Sequence, residues 1–138
     1  MSIYNEPTIY KNSGSNKEEL KTLEISDFSS VSSVINSNNN NTVGFAYRNG
    51  IVYINYWLDI KSLPVYSNVK IIDGENIPFK FPISGKFMLG DVATCDNNGV
   101  IPVRLDYDEY GNIYLFTREL AISNKVITGV LIGIYDLK

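Results

Sequence analysis

The stretch AYRNGIVYINYWLDIK, residues 46–61, contains a turn signal followed by a long apolar strand. An Asn-Gly pair adopts the positive φ values of a type I′ turn at low steric cost, so Asn49 and Gly50 predict a β-hairpin. Successive side chains of a strand point to opposite faces, which divides the residues after the turn into two sets. The inward set is Val52, Ile54, Tyr56, Leu58 and Ile60, and the outward set is Ile51, Tyr53, Asn55, Trp57 and Asp59.

The outward face of this strand is less polar than a water-facing side should be. A half-buried strand alternates apolar with polar residues, yet this face carries Tyr53 and the only tryptophan, Trp57. Strand rise predicts that the two rings lie about 13 Å apart on one face. That separation is too long for one sugar ring and fits a subunit contact or an extended saccharide. We therefore expect another subunit, or failing that a glycan, to cover part of this face.

Composition indicates one globular domain that does not bind nucleic acid. The chain has 138 residues, of which 44% are hydrophobic and 20% are charged, enough for a real core. The net charge is −3 and the basic residues are scattered, so no patch could neutralise several phosphates. No signal peptide and no membrane-spanning apolar run is present, which predicts synthesis in the cytosol without membrane insertion.

The sequence divides near residue 42. Residues 1–42 are polar and end in the run NSNNNN, which predicts a stalk, a strand or a loop. A capping box of Ser15 and Glu18 favours a helix in this segment, whereas the alternation of Leu23 and Ile25 favours a short strand. Both interpretations remain open.

Residues 43–138 predict β-structure throughout. About eight short runs rich in Val, Ile, Tyr and Phe are separated by turn residues, including Asn98-Gly99 and Tyr110-Gly111-Asn112. This pattern predicts an all-β fold, an antiparallel β-sandwich of jelly-roll type. The closing run, residues 126–135, is apolar on both faces. It predicts a central strand, or a strand packed against another subunit.

Several kinds of catalytic and metal site are excluded or disfavoured. The chain has no histidine, which rules out Ser-His-Asp triads, Cys-His pairs and His-based zinc sites. Asp106 and Asp108 could be a carboxylate pair, but strand alternation puts both on one face at a hairpin end, where a solvated turn is expected. The segment DYDEYGN resembles the start of a calcium loop. However, its fifth position, which supplies a ligand, is Tyr110, and its twelfth position, which needs a bidentate Glu, is Thr117. We predict no catalytic residue, no metal and no cofactor.

The aromatic residues carry most of the functional signal. The chain has 10 Tyr, 6 Phe and 1 Trp, and many of them stand at strand ends or beside turns. Such rings stack on sugars or pack at subunit interfaces, although each one could instead cover the core. The predicted ligand-binding or subunit-interface residues are Tyr53, Trp57, Tyr66, Asp106, Tyr107 and Tyr110.

Four segments together resemble the C-terminal receptor-binding domains of bacteriophage tail fibres and baseplate proteins: YRNGIVYINYWLDI, IPFKFP, NNGVIPVRLDYDEYGNIYLFT and ITGVLIGIYDLK. That group combines an NGxVxVxxxL hairpin, an LPxGYRP-like segment, a GxIxIxxxGxIxI hairpin and a final apolar strand ending in Tyr. The matching residues here are Asn49, Gly50, Gly99, Ile101, Val103, Gly111, Ile113, Leu115, Ile132, Ile134 and Tyr135. The middle segment departs from the pattern, because Pro78 and Pro82 are one residue too close and no Gly separates them.

The resemblance covers residues 43–138 and implies a function. Such domains are β-sandwiches that form parallel homotrimers and bind saccharides or proteins on the host surface without performing chemistry. It implies a virion protein of the tail, with other tail proteins as further partners. Two alternatives remain open: a structural tail or baseplate module without glycan binding, and a free-standing lectin-like carbohydrate-binding module.

The single cysteine generates a prediction. Cys95 can form no intrachain disulfide, and it ends a strand-like run where a free cysteine behaves as a small apolar residue. We expect its thiol to react slowly with a chromogenic disulfide reagent under native conditions and fully after denaturation. Rapid labelling of the native protein would show that the thiol is exposed.

Overall fold

A computed structural model describes residues 18–81, 86–96 and 99–138, with residues 86–96 and 99–102 described by their backbone alone. The described residues form strands and two 3₁₀ turns, at Ser29–Val31 and Gly74–Asn76. The strands are β1 (Lys21–Ile25), β2 (Thr42–Arg48), β3 (Ile51–Leu63), β4 (Asn68–Ile72), β5 (Phe79–Lys80), β6 (Lys86–Asp96), β7 (Gly99–Asp108), β8 (Ile113–Phe116), β9 (Ile122–Ile134) and β10 (Asp136–Leu137).

The strands form two four-stranded sheets and one short ribbon. The first sheet has the order β1-β2-β3-β9 and the second sheet the order β4-β8-β7-β6, while β5 pairs with β10. Every pairing is antiparallel. The predicted all-β, antiparallel sandwich is confirmed.

The hairpin at Asn49 and Gly50 sets the register of the first sheet. Both residues have positive φ values, 53° and 81°, as a type I′ turn requires. The pairing between β2 and β3 then runs without interruption from the Arg48–Ile51 pair beside the turn. The predicted turn is confirmed.

The inward face of β3 forms the centre of the core. Its members have between 0% and 3% of their surface exposed: Val52, Ile54, Tyr56, Leu58 and Ile60. They belong to one hydrophobic cluster with side chains of the second sheet, including Leu105, Ile113 and Leu115. The predicted alternation of β3 is therefore confirmed on this face. Burying each such side chain stabilises the fold by about 1.5–3 kcal/mol.

An aromatic cluster closes the core near the Asn49-Gly50 turn. The ring of Phe79 lies 5.0 Å from that of Tyr47 and 5.4 Å from that of Tyr135. The rings of Phe81 and Tyr107 lie 3.8 Å apart. These aromatic side chains are buried, so they serve the interior.

The N-terminal part of the described chain joins the same core. Lys21–Ile25 is a strand that pairs with β2 along its whole length, so the helical alternative is wrong and the strand alternative is confirmed. Alternation at Leu23 and Ile25 outweighed the weak capping signal, whose Ser15 lies outside the described residues. The following loop buries Ile35, which forms a β-bridge with Ile60.

Strand β9 lies at an edge of the first sheet. It pairs with β3 on one side, and the described strands offer it no second partner in that sheet. The prediction of a central strand is therefore wrong for the first sheet, although β6 of the second sheet lies close to β9. The apolar residues on the second face of β9 are exposed, so they reflect an uncovered surface and do not indicate burial on both sides.

Some predictions fall on residues that are not described. The turn residue Asn98 and the family-pattern residue Pro82 lie outside the described ranges, and so does the side chain of Cys95. The inert thiol therefore remains a prediction. Among the described residues, no helix has the length and apolarity needed to cross a membrane.

Tyr56 generates a prediction about alkaline stability. Its ring covers Gly129 of β9, its hydroxyl has no hydrogen-bond partner among the described residues, and burial raises its pKa to about 12. An unfolded tyrosine ionises near pH 10, so the unfolded state loses its proton first and the free energy of unfolding falls from pH 10 to 12. Tyr56→Phe should reduce this fall. At pH 7 it should leave stability unchanged or raise it by about 1 kcal/mol, because an unpaired buried hydroxyl is removed.

Urea denaturation at pH 7, 10 and 11 measures both effects. Tyr53→Phe, which removes an exposed hydroxyl of the same strand, is the matched control. A large loss of stability of Tyr56→Phe at pH 7 would mean that the hydroxyl has a partner in the folded protein.

Candidate functional site

Five large apolar side chains stand together on the outer face of the first sheet. They belong to β3 and β9 and are between 46% and 67% exposed: Ile51, Tyr53, Val130, Ile132 and Ile134. The strand register makes them contiguous, since Tyr53 is opposite Ile132 and Ile51 is opposite Ile134. We call this group the apolar patch.

A shallow depression borders the apolar patch on β2. The outward residues there are Gly44 and Ala46, and their small size leaves a hollow of about 480 Å³ between β1 and β3. The side-chain amide of Asn55 lies over Gly44, in the place that a Cβ atom would occupy. The side chain of Asn55 therefore lies flat on the sheet, and Tyr53 is the side chain that protrudes at this edge of the patch.

The other end of the same face is covered by the protein's own chain. Trp57 is half-buried and lies between Thr42 and Thr128 in the sheet register. One residue pair further on, the Asp59 carboxylate accepts hydrogen bonds from the side-chain amides of Asn36, at 3.0 Å, and Asn38, at 3.1 Å. The outward face of β3 thus passes from an open apolar end to a closed polar end.

The loop between β1 and β2 forms an open polar cleft of about 600 Å³, which we call the Asn/Ser cavity. Its polar lining consists mainly of hydroxyl and amide side chains: Ser26, Asp27, Ser32, Ser37, Asn38 and Asn39. Phe28 and Ile35, both buried, contribute an apolar floor. The sequence interpretation treated this run as a plain loop. The sequence signal that could have indicated a binding site is the number of Asn and Ser residues, which exceeds what one turn requires.

Asn41 fixes the shape of this loop. Its side chain is 4% exposed and uses both ends of its amide, accepting from the Asp59 amide N–H at 2.8 Å and donating to the Asn36 carbonyl at 2.6 Å. Such a buried amide is satisfied only in one geometry. Together with the Asp59 contacts, it holds the loop against β3.

Two predicted site residues are exposed but far apart along the second sheet. Tyr66 is 69% exposed, has a φ of 55°, and donates its amide N–H to the Arg118 carbonyl just after β8. Tyr110 is 66% exposed in the turn that precedes β8. They mark opposite ends of β8 in the second sheet, whereas Tyr53 belongs to β3 of the first sheet.

Asp106 and Tyr107 require a correction, because both are buried. Asp106 is 3% exposed and accepts two hydrogen bonds from the Arg104 guanidinium, at 2.8 and 3.1 Å. That guanidinium also lies 4.0 Å from the centre of the Phe116 ring. Tyr107 is 3% exposed and packs on Phe81. The prediction of a solvated Asp106 is wrong, since a partner two residues away along β7 allows its carboxylate to be buried.

Asp108 acts as the cap of the hairpin turn. Its carboxylate accepts from the amide N–H groups of Tyr110 and Asn112, from the Asn112 side chain, and from the Tyr114 hydroxyl. Burial opposes ionisation of the carboxyl, but the bonds from Asn112 and Tyr114 outweigh it and lower the pKa of Asp108. The calcium-like segment is a turn, as expected. Among the described residues, no group of three or more acidic or cysteine side chains could hold a metal ion.

Comparisons with known proteins find no protein-family model, no curated protein and no solved structure that matches this chain. The geometry of the apolar patch and of the Asn/Ser cavity therefore carries the functional argument.

The buried ion pair generates a prediction. Arg104→Met should lower the free energy of unfolding by about 3–5 kcal/mol, because it leaves a buried carboxylate without its partner. The double variant Arg104→Met/Asp106→Leu should recover most of this loss, since an apolar pair of similar volume removes the buried charge. Urea denaturation at pH 7 measures both.

Lys70→Met is the matched control for this experiment. It breaks the exposed pair of Lys70 with Asp73, which are 3.6 Å apart, and should cost less than about 1 kcal/mol. Equal destabilisation by the single and double Arg104 variants would show that the charge left behind is not the cause.

Proposed function

We propose that the chain is a non-enzymatic recognition domain of a phage or phage-like tail. It assembles into a homotrimer and binds saccharide or protein on a bacterial surface. The observation that carries this proposal is the apolar patch on the outer face of the first sheet. The resemblance of residues 43–138 to tail receptor-binding domains supports the same function.

The make-up of the apolar patch supports a protein contact in preference to a sugar platform. Tyr53 has Ile132 opposite it and Ile51 nearby, so aliphatic groups flank its ring on the side of β9. On the side of β2, the shallow depression beside the ring also contains Glu24, Thr42 and Asn55, so the polar groups that a stacked sugar would need lie on one side of the ring only. Contiguous exposed apolar patches larger than a few hundred Å² mark interaction surfaces on soluble proteins. A group of large apolar side chains that includes an aromatic residue and no charge is typical of interface cores.

A second copy of this chain is the occupant that accounts best for the apolar patch. Subunits related by symmetry bury the same residues at every contact, so one patch per copy supplies the apolar surface of the whole assembly. A trimer then places three equal recognition surfaces on one particle, which raises the avidity for a repetitive cell surface. The exposed rings of Tyr66 and Tyr110 remain outside the patch and are free to contact other tail proteins or the host.

Val130→Asp tests the assembly. Val130 is 67% exposed, so the change should leave the subunit folded and convert the trimer into a monomer in sedimentation velocity at micromolar concentration. Trp57 is half-buried and stands two residues after Asn55, the residue opposite Val130, so Trp57→Ala at the border of the patch should lower trimer stability and melting temperature together. The matched control is Val65→Asp, which alters an exposed valine in the turn after β3 and should leave the trimer intact. A parent protein that sediments as a 15.5 kDa monomer would contradict the proposed assembly.

Binding of the fluorescently labelled parent chain to a panel of bacterial strains tests recognition. We expect saturable binding to a subset of strains, which periodate abolishes for a saccharide receptor and protease abolishes for a protein receptor. A trimer that binds no strain would favour the structural tail module. A monomer that binds glycans would favour the free-standing lectin-like module.

A further inference from the structure

We propose that the Asn/Ser cavity is a binding site for a neutral saccharide. This inference rests on the proposed recognition function and assigns the sugar to a place other than the apolar patch. The cavity is an open cleft formed by the loop between β1 and β2, and its volume of about 600 Å³ lies within the range of roughly 300–1,000 Å³ that small-ligand sites occupy.

The side chains of this loop divide into two groups with different tasks. Asn36, Asn38 and Asn41 are committed to the fold, because they hydrogen-bond to Asp59 or to the loop backbone. Ser32, Ser37 and Asn39 also line the cavity, yet their side chains make no hydrogen bond within the described chain. Loop stability explains the first group, whereas the second group is exposed to solvent and is available to a ligand.

The unpaired groups fit a ligand rich in hydroxyls. A hydroxyl both donates and accepts, and so does each Ser hydroxyl and the Asn39 amide. The carboxylate of Asp27 adds an acceptor whose direction is fixed by the Ser29 amide N–H, at 3.0 Å, and the Ser29 hydroxyl, at 2.7 Å. Neighbouring hydroxyls of a pyranose ring need this mixture of donors and acceptors.

The lining disfavours other ligand classes. No lysine or arginine lines the cavity, and Asp27 is acidic, so a phosphate or an acidic sugar would be repelled. The apolar contribution is limited to a small floor at Phe28 and Ile35, too little for a lipid. An extended peptide would need an open strand edge or a series of apolar pockets, neither of which lines this cavity.

The scaffold around the cavity favours binding because the loop is ordered in advance. The Asn36 amide N–H donates to the Asp59 carbonyl at 2.8 Å, and the Lys61 amide N–H donates to the Val34 carbonyl at 2.7 Å. These bonds tie residues 34–36 of the loop to β3. A ligand therefore does not bear the entropy cost of ordering it.

A glycan array with neutral and acidic bacterial saccharides, probed with the full chain, identifies the ligand. Titration of the strongest neutral saccharide by isothermal calorimetry then compares variants. Ser37→Ala and Asn39→Ala should each weaken binding about five- to tenfold, the effect of one lost hydrogen bond. Ser33→Ala and Asn40→Ala are the matched controls. Both residues are exposed in the same loop, neither lines the cavity, and both changes should leave affinity unchanged.

Amide chemical-shift mapping and melting temperatures complete the test. The neutral saccharide should shift signals of residues 26–41, and all four loop variants should melt with the parent protein. Binding to acidic glycans alone, full affinity of Ser37→Ala and Asn39→Ala, or shifts centred on Tyr53 would each overturn the inference.

The saccharide experiments and the strain-binding experiments can fail separately. Absence of any neutral glycan ligand overturns the cavity assignment, while protease-sensitive binding to cells would still support the recognition function. A saccharide bound in the cavity by a chain that recognises no strain supports the cavity assignment and contradicts the tail function.

Discussion

The whole structure depends on the two-residue period of β3. This strand pairs with β2 on one side and β9 on the other, and its inward face supplies the middle of the core. A shift of register by one residue would turn every side chain of β3 to the opposite face. The five inward side chains, such as Ile54, would become exposed, and the carboxylate of Asp59 would become buried. The turn at Asn49 and Gly50 prevents that shift, because only one register is compatible with its positive φ values. Secondary structure, core and surface all follow from this one constraint.

The part of the fold that follows from local patterns could be predicted from the sequence. The extent of β2, the alternation of β3 and the turn at Asn49 depend on residues that are adjacent in the chain. The position of β9 could not be predicted, because a strand with two apolar faces suits both a sheet centre and an edge with an exposed patch. Which alternative holds depends on pairing partners more than fifty residues away in the sequence, such as Tyr53 for Ile132.

The candidate site was also predicted only in part, because counting along a strand assigns residues to a face but does not show which side chains contact one another. Tyr53 and Trp57 could be assigned to one face by counting, and the face is the one with the apolar patch. The burial of Asp106 was missed although its partner Arg104 is only two residues earlier on the same strand, because strand alternation alone does not show that the two side chains pair. The Asn/Ser cavity was missed because the amides that shape it bond to Asp59, which is remote in sequence. Long-range polar contacts leave little trace in a hydrophobic pattern.

The outward face of β3 separates two kinds of surface that the proposed recognition function needs. Near the turn, Tyr53 presents apolar area, which favours association with a protein and costs little to desolvate. At the other end, Asp59 organises the loop around a polar cavity, where hydrogen bonds can select a ligand. Trp57 lies between the two ends, half-buried, so that contacts at one end need not displace those at the other. A subunit seated on the apolar patch would therefore leave the Asn/Ser cavity open, and assembly and recognition can be altered by separate substitutions.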